Sequence, residues 1–331
     1  MEDTTDRQQP HIPEPQELND FWYAHGEMRA VWKLGIYGVT AFFLMFVVGM
    51  VVYLALPQLD WRFSTPLMTL GAALAASTLC ALALDRRPLL EMLALPWQRF
   101  AWKQLGLGML LTFGMMLALV GLELVFGEAR MISAHVTFGH SLSIILLGLL
   151  SFTLVAFAEE ILVRGYPFSV LLRQVGTVPA LLLTSGVFSL MHLFNPGIGW
   201  LPLLNIFLAG IWLGIARIVS GSLWLPIGLH IGWNFYLGPV FGFPVSGIIE
   251  RSLFVTRPEG PAWISGGIFG PEGGVLATLV LIAGTALLYL PWFREALSLK
   301  EKGEANGKQV SAGDNGPGHM TSSKENENEV L

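Results

Sequence analysis

Eight stretches of this chain are apolar over roughly the 20 residues that a helix needs to cross a bilayer. They run Leu34–Leu56, Thr65–Leu84, Leu105–Phe126, Leu142–Val163, Val178–Phe194, Leu201–Val219, Trp224–Phe243 and Gly274–Trp292. Hydrocarbon offers no water to backbone N–H and C=O groups, so runs of this kind fold as helices, whose backbone bonds are internal. The expected fold is all-α: a polytopic integral membrane helical bundle of about eight transmembrane helices. Composition agrees, because only 13% of the 331 residues are charged, against about 25% in soluble domains.

Three parts follow. Residues 1–33 are polar and rich in Pro, Gln and Glu, and read as a cytoplasmic tail rather than a signal peptide. Residues 34–295 form the membrane domain. From 296 to 331 the chain is Gly, Lys, Glu, Asn and Ser, a composition expected to be disordered. Between the second and third runs, residues 86–104 mix Arg, Lys and Trp with leucines and read as interfacial.

Charge and cysteine usage exclude several classes. No basic patch with interleaved aromatics is present, so nucleic acid is not an expected partner. Cys80 is the single cysteine, which rules out an intrachain disulfide and a cysteine-based zinc site. Of the 19 Lys and Arg, fifteen fall in the two tails and the even-numbered connections, and four in the others. By the positive-inside rule both termini are cytoplasmic. No retention signal directs the chain to the endoplasmic reticulum, so the plasma membrane (the inner membrane of a bacterium) is the expected location.

Against this background a few polar residues inside the runs matter most. A charge at bilayer depth costs at least ~2.5–3.5 kcal/mol, so each is a functional candidate by default. "TLVAFAEEILVRGYPF" (153–168) holds Glu159, Glu160 and Arg164; "FSLMH" ends on His192; "LHIGWNF" holds His230 and Asn234. Glu123 stands near the end of its own run. Glu160 and Arg164 are helix neighbours four apart with the acid first, the favourable order for an ion pair. Glu159 is turned about 100° away and left to face something else.

The midpoint between residues 159 and 192 falls in "RQVGT", a natural turn. A helical hairpin turning there puts Glu159 and His192 at one height, about 24 Å from the turn. His230 and Asn234 also share a face, four residues apart, where they could grip a metal or donate to an oxyanion. Structurally, the same residues could be an ion pair and helix-packing hydrogen bonds. Three polar clusters on three apolar helices favour a shared site.

A glutamate in an apolar cavity is tuned toward accepting a proton from water near neutral pH. Together the set suits peptide hydrolysis without a serine or cysteine nucleophile. The chain has no H-E-x-x-H, no G-x-S-x-G and no aspartate within a run.

"EEILVR", "FSLMH" and "HIGWN" in this order resemble the three motifs of the CPBP intramembrane protease family. That family includes the CAAX prenyl endopeptidases related to the Ras-converting enzyme and the bacteriocin-processing (Abi) proteins. The resemblance covers about 159–234, within a motif core of 141–243, and makes 34–295 a transmembrane protease domain. It implies Glu159 as catalytic base, His192 as its partner on the water, and His230 and Asn234 as the oxyanion pair, with Glu160 and Arg164 supporting. The family is described both as metalloproteases and as glutamate-dependent enzymes, so the cofactor is either none or Zn2+. Glu159, His192 and His230 would be the ligands if zinc is bound.

The implied partners are a protein or peptide substrate, lipidated or membrane-embedded forms included, and the lipid bilayer. The site is expected in the cytoplasmic half. Two rival readings are a non-catalytic membrane scaffold of the same family and a proton-coupled transporter. The transporter is disfavoured by the lack of an evident internal repeat.

Overall fold

The structure, a computed structural model, describes residues 21–97 and 100–298. Most of the N-terminal tail, and the C-terminal tail from 299, lie outside the described residues. The helices are α1 (Ala30–Ala55), α2 (Trp61–Cys80), α3 (Phe100–Val125), α4 (Phe138–Glu160) and α5 (Tyr166–Gln174). They continue with α6 (Thr177–Met191), α7 (Trp200–Ser220), α8 (Trp224–Phe235), α9 (Val275–Leu287) and α10 (Pro291–Ser298). Single π-helical turns extend α2 to Asp85, join α4 to α5 through Ile161–Gly165, and extend α8 through Tyr236–Val240.

All eight expected runs contain helix, but they are not equal as spans. Among the described residues five helical stretches are long and apolar enough to cross a membrane, or six if α9 and α10, bent by 66°, count as one. The fourth run is part of a 37-residue stretch, Phe138–Gln174, whereas α6 has 15 residues and α8 only 12. Every residue of α8 is buried. Its apolarity therefore suits contact with other helices rather than lipid, a distinction that hydropathy alone does not carry. α1 is the opposite case, with Phe42, Phe43 and Phe46 facing outward, as a lipid-contacting helix should.

Small residues bring α8 against α3. Gly228 and Gly232 stand four apart and face Leu105, Met109 and Thr112 of α3. An added Cβ at Gly228 would strike the Leu105 carbonyl, and one at Gly232 the Thr112 hydroxyl. Close approach through such small-residue positions is how membrane helices gain packing contact when apolar burial alone gives no advantage over lipid. His230 lies between the two glycines, so this contact also fixes its height.

The hairpin turn expected near residue 175 is made by Val175 and Gly176, the latter at φ +87°. At the opposite end of the chain, α1 starts at Ala30, inside the segment expected to be tail. Lys33 is buried there, with Nζ 2.8 Å from Asp85 Oδ1. Asp85 also accepts from the Tyr166 hydroxyl and from Arg173, tying α1, α2 and α5 into one cluster.

Two strand pairs lie outside the helices. β1 (Tyr23–Ala24) and β2 (Glu27–Met28) form a small hairpin before α1. β3 (Ala129–Ser133) pairs antiparallel with β4 (Phe254–Pro258), which ties the α3–α4 connection to the segment after α8. Between the second and third helices, Leu89–Met92 form one short helix, and the exposed Trp97 packs edge-on to Trp102 and Trp224.

Candidate active site

α1, α2, α4, α6, α7, α8 and the 245–250 and 272 loops line an open cavity of about 320 Å³. Its walls include Glu159, His192, His230 and Asn234. The four residues expected to form the site therefore face one space, although they come from three helices. Glu123 does not line it; it is buried in α3 and neither carboxylate oxygen has a hydrogen-bond partner among the described residues.

A charged row stands behind the cavity wall. Arg164 Nη1 donates to Glu160 Oε1 at 2.6 Å, with both side chains fully buried. Arg164 Nη2 reaches the Gly210 carbonyl at 3.5 Å, and the guanidinium lies 4.2 Å over the Phe188 ring. The same Glu160 oxygen is 3.0 Å from His230 Nδ1. The Glu160 oxygen already accepts from Arg164, so His230 Nδ1 is the donor in this contact. The sequence pairs Glu160 with Arg164 alone; here it also fixes the His230 ring.

With Nδ1 committed, His230 Nε2 turns toward Glu159 Oε2, at 3.7 Å. That is beyond hydrogen-bond length, and Glu159 Oε2 is buried without a hydrogen-bond partner. His192 caps α6, and its Nδ1 lies 2.9 Å from the Phe188 carbonyl. A carbonyl only accepts, so Nδ1 holds the proton and Nε2 keeps its lone pair. The Phe188 ring lies against both His192 and His230, at centroid distances of 5.0 and 5.9 Å.

No three His, Cys, Asp or Glu side chains among the described residues converge on a point where a metal ion could bind. The alternative ligand set of Glu159, His192 and His230 is thus not assembled as a metal site among the described residues. The arrangement does not fit zinc.

Three cavity residues carry no sequence motif. Glu272 is buried and accepts from Trp233 Nε1 at 2.7 Å and from the Ser246 backbone N–H and hydroxyl. Its own carbonyl accepts from Asn205 of α7. Burial pushes its carboxyl above the usual range, opposed by those bonds and by the nearness of His192. At the other end Arg62, the second residue of α2, donates from Nε to Glu250 Oε2 at 2.7 Å. All three sit in or next to loops, where a charge costs little and gives no hydropathy signal. Only the "PEGG" setting of Glu272, a lone acid leading into an apolar helix, could have drawn notice.

A comparison with known families bears on the core of the chain. Residues 141–236 match the family described as Type II CAAX prenyl endopeptidase Rce1-like. The match spans α4 to α8 and contains all six motif residues. It supports a multi-pass membrane endopeptidase with a peptide substrate. No curated protein matches the chain. Arg62, Glu250 and Glu272 lie outside the Rce1-like segment, so their roles rest on this structure alone.

Proposed function

We propose that the protein is an intramembrane endopeptidase in which Glu159 activates water for attack on a peptide carbonyl. One observation carries this reading: a buried carboxylate oxygen of Glu159, free of hydrogen bonds, on the wall of a cavity that His192, His230 and Asn234 share.

The chemistry follows from the lone pairs. A water in the cavity donates one hydrogen to Glu159 and the other to His192 Nε2, which leaves a lone pair on the water oxygen directed at the substrate carbonyl carbon. Glu159 takes the proton as the C–O bond forms, so positive charge leaves the nucleophile as negative charge reaches the carbonyl oxygen. That oxyanion is stabilised by the Asn234 amide and by His230 Nε2 when protonated. Collapse of the tetrahedral intermediate passes the proton from Glu159 to the leaving amine, and the enzyme returns to its starting state.

The same reading puts the protein in the plasma membrane, the inner one in a bacterium, with both termini cytoplasmic. Its substrate is a protein or peptide, with a lipidated C-terminal segment as the form the Rce1-like match favours. Purified protein in liposomes, incubated with a peptide library and read by mass spectrometry, tests this. Paired products whose masses sum to substrate plus one water support it; an unchanged library opposes it.

A further inference from the structure

We propose that Glu272 selects substrates by side-chain charge, its carboxylate being the counter-charge for a lysine or arginine close to the scissile bond. The proposal rests on the peptidase reading above and adds to it a specificity residue.

Apart from histidines, the charged side chains lining the cavity are Arg62, Glu159, Glu250 and Glu272. Arg62 is already balanced, by Glu250 at 2.7 Å and by Asp60 at 3.2 Å. Behind the wall Arg164 is balanced by Glu160, and Glu159 has His230 beside it at 3.7 Å. Glu272 differs from all of these. It is buried, yet among the described residues its carboxylate bonds only to uncharged donors: the Trp233 indole, the Ser246 backbone N–H and the Ser246 hydroxyl. Buried charges are ordinarily paired with an opposite charge. Three bonds leave one of about four lone-pair directions on the carboxylate unused, and the cavity gives a substrate cation access to it.

The carboxylate is also held in place. Asn205 Nδ2 donates at 2.8 Å to the carbonyls of both Glu272 and Gly274. Ser246 has a left-handed backbone, at φ +49°, and its carbonyl accepts from Asn195 Nδ2 at 2.9 Å. These bonds tie Glu272 to the elements that carry the catalytic groups, since Trp233 adjoins Asn234 on α8 and Asn195 follows His192 by three residues. His192 is near enough to Glu272 to act on its charge. An extended peptide advances ~3.3 Å per residue, so a side chain reaching Glu272 belongs to a residue within about two of the cut. The Trp212 and Trp233 rings, 5.7 Å apart, line the same cavity. Aromatic faces of this kind suit the methylenes and the charge of a lysine or arginine. An acidic side chain there would meet a like charge.

The test uses a peptide that the wild type cleaves, remade with lysine, norleucine or glutamate at each position flanking the cut. At one position, lysine should exceed norleucine in kcat/KM by at least about tenfold, the value of one charge-assisted bond, with glutamate the poorest. Glu272→Gln should bring the lysine-to-norleucine ratio close to one, mainly through KM. Ser246→Ala disturbs the same loop but keeps the carboxylate, and should retain the preference; a merely structural role for Glu272 would not separate the two variants in this way. Binding of the labelled lysine and norleucine peptides to the Glu159→Gln protein repeats the comparison without turnover and with Glu272 intact. It therefore stands even where Glu272→Gln does not fold or no peptide is cleaved. Equal affinity for the two peptides at every position would overturn the proposal, as would an undiminished lysine preference in folded Glu272→Gln. A preserved lysine preference in binding, with no cleavage by the wild type, would instead count against the peptidase reading.

Discussion

Glu160 Oε1 is shared between Arg164 Nη1 at 2.6 Å and His230 Nδ1 at 3.0 Å, all three side chains being buried. The adjacent Glu159 is excluded from this arrangement and faces the cavity. Two consecutive glutamates thus do different work: one holds the imidazole in position, and the other is left open to solvent or substrate.

Removing the cation from this row should be costly. Arg164→Ala leaves Glu160 buried without its counter-charge, which typically costs about 3–5 kcal/mol. Arg164→Lys should recover only part, since an ammonium does not span Glu160, the Gly210 carbonyl and the Phe188 face together. Thermal unfolding in detergent checks both; an unchanged midpoint for Arg164→Ala would contradict the ion-pair account.

The α3–α8 contact should be sensitive to a single methyl group. Gly228→Ala is expected to cost about 1–3 kcal/mol through overpacking and to lower activity, because His230 moves with its helix. Gly35→Ala serves as the control, having open space around the site of the added carbon. Equal stability of the two variants would show that the backbones are not in close contact.

Glu272 should make stability depend on pH. Its carboxyl is raised in the folded state, so the folded protein holds this proton more tightly than the unfolded chain. The corresponding stability is fully present below the ordinary value of 4.5 and is lost as pH rises through the folded value. Glu272→Gln should flatten that decline while losing about 1–3 kcal/mol overall, because its amide cannot accept at both ends. A melting series across pH reads the slope; identical slopes would exclude Glu272 as its source.

How much of this was legible beforehand varies by element. The motif residues were, because an ionisable group in an apolar run is costly and four-residue spacing shows which groups share a face. The turn at Val175–Gly176 followed from the same arithmetic. Length was the weaker guide: α8 reads as a span but is enclosed by protein, and hydropathy treats lipid and helix neighbours alike. Partner choice was also hidden, since the Glu160–His230 bond joins residues 70 apart. The Arg62–Glu250 and Glu272–Trp233 bonds were hidden for the same reason. β3 and β4 are five residues each, separated by more than a hundred in sequence, and local pattern cannot pair them.

The most direct test compares Glu159→Gln with Glu160→Gln, measuring cleavage rate and melting temperature of each in the same detergent. The account predicts that Glu159→Gln melts near the wild type but loses at least about 100-fold in kcat, the usual contribution of a general base. It predicts that Glu160→Gln melts markedly lower, because Arg164 and His230 lose their shared carboxylate. Cleavage at the wild-type rate by Glu159→Gln would contradict the central claim.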